Sequence, residues 1–134
     1  MKTLVLVFTV AFMPALQLTA QKTNYWKGGF PGQENEWNQP NNWSLGFVPD
    51  WTCHVIIPDV STASCPDPVL KNGDAEVQSV IIQVGASFTI ASGACLWLLG
   101  FNSFEVPLQN EGTLALKGKI RTEPTGNTIA TRGK

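Results

Sequence analysis

From Cys53 onward, short apolar runs alternate with turn residues along the chain. The runs are rich in Val, Ile, Leu and Phe, which favour strands, and single glycines mark most of the breaks between them. Within the runs, apolar residues recur at every second position. The clearest pairs are Val80 and Ile82, Phe88 and Ile90, Leu96 and Leu98, and Leu114 and Leu116. Because alternate residues of a strand point to one face, each pair shares an interior, and the pattern predicts an all-β domain.

The glycine corners distinguish between two all-β topologies. An antiparallel sandwich usually needs hairpin turns such as Asn72-Gly73, whereas the other breaks are mostly single glycines beside Ala, Ser or Lys. Short strands between single-glycine corners favour a coiled sheet, in which each rung stacks on the previous one. We therefore predict a short right-handed parallel β-helix of about three rungs over residues 53–122. A compact β-sandwich or jelly roll is the alternative.

The chain opens with Lys2, an apolar run and then small and polar residues. This is the layout of a secretory signal peptide, so residues 1–20 are predicted to be removed and the mature chain to begin near Gln21. We expect the product to be secreted, outside the cell, at the cell surface or in the periplasm. No later segment has the length and apolarity of a membrane-spanning helix, so membrane insertion is not expected.

Residues 21–52 carry a high density of aromatic and amide side chains, including four of the five tryptophans. The end of a coiled sheet leaves apolar side chains that need a cover, so these rings are predicted to form an N-terminal cap. The same residues suit a sugar-binding surface, because indole faces stack on pyranose rings and amides bond hydroxyl groups. The candidate ligand-binding residues are Trp37, Asn38, Trp43 and Trp51. A cap buries its indoles, whereas a sugar-binding surface leaves them open to solvent.

Two stretches resemble a known family. The first contains Trp37-Asn38, Asn42-Trp43-Ser44, Gly46, Val48-Pro49 and Val55-Ile56-Ile57-Pro58. It is similar to the start of amnionless-type extracellular domains, and of bacterial secreted proteins whose parallel β-helix begins with an NW-S-x-G-x-VP segment. The second stretch, residues 75–100, resembles the rungs of those proteins. The resemblance implies a non-catalytic extracellular scaffold of bacterial, adhesin-like type. The transmembrane helix and cysteine-rich region of the amnionless family have no counterpart here, so a receptor-assembly role is not implied.

Three cysteines are an odd number for a chain that is expected in an oxidising compartment. A disulfide between Cys53 and Cys65 is the favoured pairing, and closing that loop would contribute roughly 3 kcal/mol. Cys95 lies among apolar residues and is predicted to be a buried free thiol. Cys53 and His54 are adjacent and would point to opposite faces of a strand, so a metal site is not expected. We expect His54 to be a strand residue whose side chain points to solvent or to a loop.

The formal net charge of −1 provides no basic field for nucleic acid. Basic residues are nevertheless concentrated in residues 117–134, where Glu123 is the one acidic residue. A solvated polar tail explains this concentration, and a docking segment for an anionic polymer is the alternative.

The sequence shows no catalytic constellation. Its Asp residues fall in loops or turns, and no two carboxylates have a spacing that forces them together, as acid–base glycoside chemistry requires. A nucleophile elbow, a phosphate loop and a zinc signature are also lacking. We therefore expect no enzyme activity, no cofactor and no metal. Asn42-Trp43-Ser44 matches the N-glycosylation pattern, which matters only for a eukaryotic source.

The predicted organisation has four segments: a signal peptide (1–20), an aromatic cap (21–52), β-helical rungs (53–122) and a polar C-terminal tail (123–134). The predicted function is a secreted structural or adhesion module, alone or as the N-terminal part of a longer repeat protein. Its expected partner is an extracellular protein or glycan surface. Because no lid over the last rung is evident, self-stacking through that rung is a further expectation. The alternative function is a carbohydrate-binding module that uses exposed tryptophans.

Overall fold

The computed structural model describes residues 21–100 and 107–122. The predicted signal peptide and the predicted tail of residues 123–134 lie outside the described residues. Within these ranges the chain forms strands and two 3-10 helices, at Pro40–Asn42 and Ser61–Ala63. The strands are β1 (Lys22–Tyr25), β2 (Cys53–Ile57), β3 (Val69–Leu70), β4 (Gly73–Val77), β5 (Ser79–Ile82), β6 (Ser87–Ile90), β7 (Ala94–Leu98), β8 (Leu108–Asn110), β9 (Thr113–Leu116) and β10 (Lys119–Thr122).

The strands form three sheets in which all strand pairings are parallel. Sheet 1 has the order β1-β2-β5-β8, sheet 2 the order β3-β6-β9, and sheet 3 the order β4-β7-β10. From β2 onward the chain therefore visits sheets 1, 2 and 3 in turn, and each strand pairs with the strand three places later. The prediction of an all-β domain is confirmed, and its sheets are parallel.

Equivalent positions of successive strands stack in register and fill the interior. In sheet 1 Val55 pairs with Val80, and in sheet 3 Ala75 pairs with Leu96. Apolar layers of this kind supply the main stabilisation, because burying one Val, Leu or Phe side chain contributes about 1.5–3 kcal/mol. The predicted inward pairs of β5, β6 and β7 are buried, whereas Leu116 of β9 is half exposed. In the described part of the chain, β9 is the outermost strand of sheet 2, which accounts for this exposure.

The single glycines of the last corners are required by close stacking. A Cβ atom placed on Gly118 would lie 2.3 Å from the carbonyl oxygen of Ala94 and 2.4 Å from that of Ala91. At Gly112 the corresponding distances are 2.3 Å and 2.5 Å, to two oxygens of the preceding corner. Side-chain carbon atoms do not approach backbone oxygens this closely. The chain can therefore turn directly over its previous corner only where no side chain is present.

Residues 21–52 extend two of the three sheets at the N-terminal end. β1 pairs with β2 in sheet 1, and the amide of Trp26 continues this contact to the carbonyl of Ile56 at 3.0 Å. In sheet 2 the Val69 amide donates to the Asn35 carbonyl at 2.8 Å, and the Trp37 amide donates to the Val69 carbonyl at 3.1 Å. These bonds occupy strand groups that would otherwise form an open sheet edge.

The predicted disulfide between Cys53 and Cys65 is wrong. All three cysteines lie in the described part of the chain, and all are free thiols. Cys53 begins β2, whereas Cys65 lies beyond the other end of that strand, where its amide donates to the Val60 carbonyl at 3.4 Å. A strand rises about 3.3 Å per residue, so β2 alone separates its ends by about 13 Å. Disulfides join Cα atoms about 4.4–6.8 Å apart. The prediction for Cys95, a buried free thiol, is confirmed.

Candidate functional site

Three tryptophans of residues 21–52 form a packed cluster. Trp43 makes edge-to-face contacts with Trp26 and Trp37, at centroid distances of 5.1 Å and 4.7 Å. Trp37 in turn stacks on Phe88 of β6 at 4.9 Å. At most 1 % of each of these indole side chains is exposed. Trp37 and Trp43 therefore present no face to a ligand, and the hypothesis that they form a sugar-binding surface is wrong, because their rings cover the interior.

Hydrogen bonds fix two of the three indoles in place. The Trp43 Nε1 donates to the Trp37 carbonyl at 2.8 Å, and the Trp26 Nε1 donates to the Pro66 carbonyl at 3.1 Å. The Trp37 Nε1 has no hydrogen-bond partner among the described residues. Its indole is held instead by the rings of Trp43 and Phe88.

Asn42 organises the loops around this cluster. Its Nδ2 donates to the carbonyls of Gln33 at 2.7 Å and Glu36 at 3.0 Å, and its Oδ1 accepts from the Phe30 amide at 2.9 Å. The Asn42 side chain is fully buried. Both amide hydrogens are in use, so the Asn42-Trp43-Ser44 glycosylation pattern is closed to a glycan in the folded protein.

The other two candidate ligand-binding residues are exposed but lie apart. Trp51 is 50 % exposed and lies two residues before β2 of sheet 1, where its carbonyl accepts from Gln78 Nε2 at 2.5 Å. Asn38 is exposed and follows Trp37, whose backbone bonds to β3 of sheet 2. The structure thus brings together Trp37 and Trp43 in the interior and leaves Trp51 and Asn38 in separate turns, one before β2 of sheet 1 and the other next to the residue that bonds to β3 of sheet 2.

A different group of residues forms a groove on the outer face of sheet 3. The register aligns two outward rows across β4, β7 and β10. One row is Asp74, Cys95 and Lys119, and the other row is Glu76, Trp97 and Arg121. The groove has a volume of about 380 Å³ and is lined by all of these row residues except Glu76, together with Ser92, Gly93, Ala94, Lys117 and Gly118. We call these residues the sheet 3 groove.

Charge is separated across the sheet 3 groove. The acidic side chains Asp74 and Glu76 lie on β4, and the basic side chains Lys119 and Arg121 lie on β10. Two strand spacings, about 9.6 Å, separate these strands. The middle strand contributes Trp97, which is half-buried, and the Cys95 thiol, which is 9 % exposed. The Arg121 guanidinium lies 5.6 Å from the centre of the Trp97 ring, within the range of a cation–π contact.

The sequence contained part of the signal for the groove. Leu96 and Leu98 point inward, so strand alternation requires the intervening Trp97 to point outward. The alignment of Trp97 with Glu76 and Arg121 depends on the register between strands about 20 residues apart. A single sequence contains no direct signal for that register.

His54 lies on the outer face of sheet 1 and is held by polar neighbours. Its Nδ1 lies 2.6 Å from Ser79 Oγ, and its Nε2 lies 2.7 Å from Gln21 Oε1. Cys53 points inward from the adjacent position, as strand alternation requires. Among the described residues, no cluster of three or more His, Cys, Asp and Glu side chains is arranged to hold a metal ion.

Several carboxylates hold loops. Burial raises the pKa of Asp50, but hydrogen bonds from the Thr52 hydroxyl and amide outweigh it, and the pKa lies below its usual value. A hydrogen bond from the Ser61 side chain, supported by the Ser61 amide, lowers the pKa of Asp59. Glu36 forms an ion pair with Lys71 at 3.1 Å. These contacts are those of loop anchors.

No family model, no curated protein and no solved structure matches the chain. In the part of the chain that the structure describes, no helix is long and apolar enough to span a bilayer.

Proposed function

We propose that the chain is a short right-handed parallel β-helix with residues 21–52 as its N-terminal cap. We further propose that it is a secreted, non-catalytic structural or adhesion module that acts through its outer surface. The observation that carries the fold is the repeated visit to sheets 1, 2 and 3 in one order, in which each strand from β2 to β7 pairs in parallel with the strand three places later. A chain that winds round one axis produces this order.

The tryptophan cluster supports the assignment of residues 21–52 to a cap. Its rings lie over the interior at the N-terminal end, and hydrogen bonds of Asn35 and Trp37 occupy the edge of β3. Terminal covers of this kind are needed in stacked-repeat proteins, because the first layer has no neighbour on one side. The resemblance to amnionless-type extracellular domains points in the same direction.

Action by surface contact is supported by the positions of the polar side chains. Asp50 and Asp59 accept hydrogen bonds from loop amides, and Glu36 forms an ion pair, so these carboxylates stabilise loops. The outward rows of sheet 3 instead form an open, charged groove with an aromatic side chain in its middle strand. Such a surface is suited to holding a partner.

The first experiment tests export and turnover together. The chain is expressed with its own leader in a bacterial host, and the exported protein is identified by N-terminal sequencing. We expect it in the periplasm or medium with a start near Gln21, and we expect no release of reducing ends from a panel of polysaccharides. Retention in the cytoplasm contradicts the secreted role. Turnover that disappears on replacing one carboxylate contradicts the non-catalytic role.

Carbohydrate binding is a second candidate function, favoured by the exposure of Trp51. The test measures depletion of the purified protein by insoluble polysaccharides, with Trp51→Ala beside Val84→Ala. Val84 is a suitable control because it is also an exposed apolar side chain, at a corner. If Trp51 stacks on a sugar, Trp51→Ala loses most of the depletion and Val84→Ala retains it. Equal depletion by both variants contradicts a role for Trp51.

A further inference from the structure

The sheet 3 groove has the form of a ligand site. Its volume of about 380 Å³ lies near the lower end of the range for small-molecule sites, about 300–1,000 Å³. Its floor is β7, whose backbone is paired on both sides by β4 and β10. Side chains that stand on a paired strand keep fixed spacings, so the groove presents its groups in a fixed arrangement before any ligand arrives.

The aromatic side chain at the centre of the groove is matched with a cation. Trp97 is half-buried, and the Arg121 guanidinium lies 5.6 Å from its ring centre. An arginine held against an indole keeps its planar donors in a defined orientation, and this arrangement suits two parallel hydrogen bonds to one carboxylate. The adjacent indole provides apolar contact for a ring attached to that carboxylate.

The charges indicate where the anionic part of a ligand lies. Lys117, Lys119 and Arg121 line the β10 side and carry +3, whereas Asp74 lines the β4 side and carries −1. Glu76 lies beside the groove on the same strand as Asp74 and adds a second negative charge there. A carboxylate is therefore attracted to the β10 side. On the β4 side the acidic groups accept hydrogen bonds from hydroxyls and repel a second dense negative charge. A polysulfate fits this arrangement poorly, whereas a sugar with one carboxylate and several hydroxyls fits it.

We propose that the sheet 3 groove binds the uronic acid units of an acidic polysaccharide. This inference rests on the proposed function insofar as the chain acts through surface contact, and it names the surface and the class of partner. Arg121 and Lys119 bind the sugar carboxylate, Trp97 packs against the pyranose ring, and Asp74 accepts hydrogen bonds from its hydroxyls. Binding therefore weakens with added salt, because the contact that carries it is electrostatic.

The test uses alginate as the probe, since every sugar unit of alginate carries a carboxylate. Affinity of the purified protein for immobilised alginate is compared with that for a propylene glycol ester of alginate, for dextran and for dextran sulfate. The variants are Arg121→Gln and Trp97→Phe, with Lys27→Gln as the control. Lys27 is exposed in residues 21–52, and its replacement removes the same charge from a residue that belongs neither to sheet 3 nor to the lining of the groove. Circular dichroism checks the fold of each variant.

We expect alginate binding that is lost in the ester and reduced about 10-fold or more in Arg121→Gln, the loss typical of a removed charged hydrogen bond. Lys27→Gln is expected to change the affinity less than 2-fold, since non-specific charge effects are small at physiological salt. Trp97→Phe keeps an apolar ring, so it is expected to fold and to bind less tightly. Quenching of Trp97 fluorescence by alginate, measured as the difference between the native protein and Trp97→Phe, reports the site independently.

Four results overturn the inference, and the first three concern alginate directly. They are an absence of alginate binding, equal losses in Arg121→Gln and Lys27→Gln, and binding of dextran sulfate in preference to alginate. Binding of dextran that no groove variant changes also overturns it, yet leaves the surface-contact function standing. Failure to bind any extracellular partner contradicts both proposals.

Discussion

Replacing Gly118 by alanine is expected to lower the free energy of unfolding by about 2 kcal/mol, because two packed corners must separate. The new Cβ would lie 2.3 Å and 2.4 Å from backbone oxygens of Ala94 and Ala91, and 3.0 Å from Ile90 Cγ2. Neither oxygen belongs to a movable side chain. The corner that carries them is tied down, because the Gly118 amide donates to the Ile90 carbonyl at 2.9 Å.

The magnitude combines three contributions. Overpacking of one carbon against a rigid neighbour costs about 1–3 kcal/mol. Lengthening of one corner hydrogen bond adds about 0.5–1.5 kcal/mol. Alanine reduces the conformational freedom of the unfolded chain, and this offsets the loss by about 0.4–1 kcal/mol. The central values leave a net destabilisation of about 2 kcal/mol.

The assay is equilibrium unfolding in urea, followed by tryptophan fluorescence, which reports on the buried cluster. Gly73→Ala is the matched control. Gly73 has a φ of 74° with nothing within 4 Å of its added Cβ, so alanine there meets only backbone strain, about 1–2 kcal/mol before the same entropic offset. Gly118→Ala that is as stable as the native protein, or more stable than Gly73→Ala, would refute the steric explanation of the corners.

Further predictions concern the cap, the pH dependence and the thiols. Asn42→Ala is expected to lose about 3 kcal/mol in thermal unfolding, since three side-chain hydrogen bonds disappear; a loss below about 1 kcal/mol contradicts its organising role. The pKa of Asp50 is lowered by folding, so its stabilisation is present above the ordinary carboxyl pKa of about 3.9 and is lost as pH falls through the lower folded value. Asp50→Asn is therefore expected to destabilise the protein at pH 7 more than at pH 2, and an equal effect at both pH values argues against this contribution. Burial raises the pKa of the Cys53 thiol, so iodoacetamide is expected to modify Cys65 at pH 8 well before Cys53, as peptide mass spectrometry can show. Faster modification of Cys53 in the folded protein would contradict its burial.

The sequence predicted which faces point inward better than it predicted contacts between distant segments. Alternation placed Val80, Phe88 and Leu96 in the interior because side-chain direction follows from local strand geometry. The disulfide prediction treated the segment from Cys53 to Cys65 as a short strand followed by a loop that could close back on Cys53. The intervening residues include β2, whose extended backbone keeps these cysteines apart.

For the candidate site, too, the sequence predicted local side-chain direction better than contacts between distant segments. In the sequence, Trp37 and Trp43 were compatible with a cover over the interior and with a sugar-binding surface. Only the burial of their side chains in the structure distinguished the two hypotheses. The sheet 3 groove depends on the pairing of β4, β7 and β10, which are separated along the chain by other strands and loops. The sequence predicted which residues of each strand point outward, but it did not predict how those residues align between the three strands.

The stacking of Trp37 on Phe88 has a consequence for how the protein opens. Phe88 belongs to β6, the second strand of sheet 2, so residues 21–52 contact β6 as well as β3, the first strand of that sheet. Opening of β2 and β3 alone would break their contacts with residues 21–52 on one side and with β5 and β6 on the other. Residues 21–52 and the strands from β2 to β7 should therefore exchange their amide hydrogens as one cooperative unit, while β8, β9 and β10 open at lower free energy.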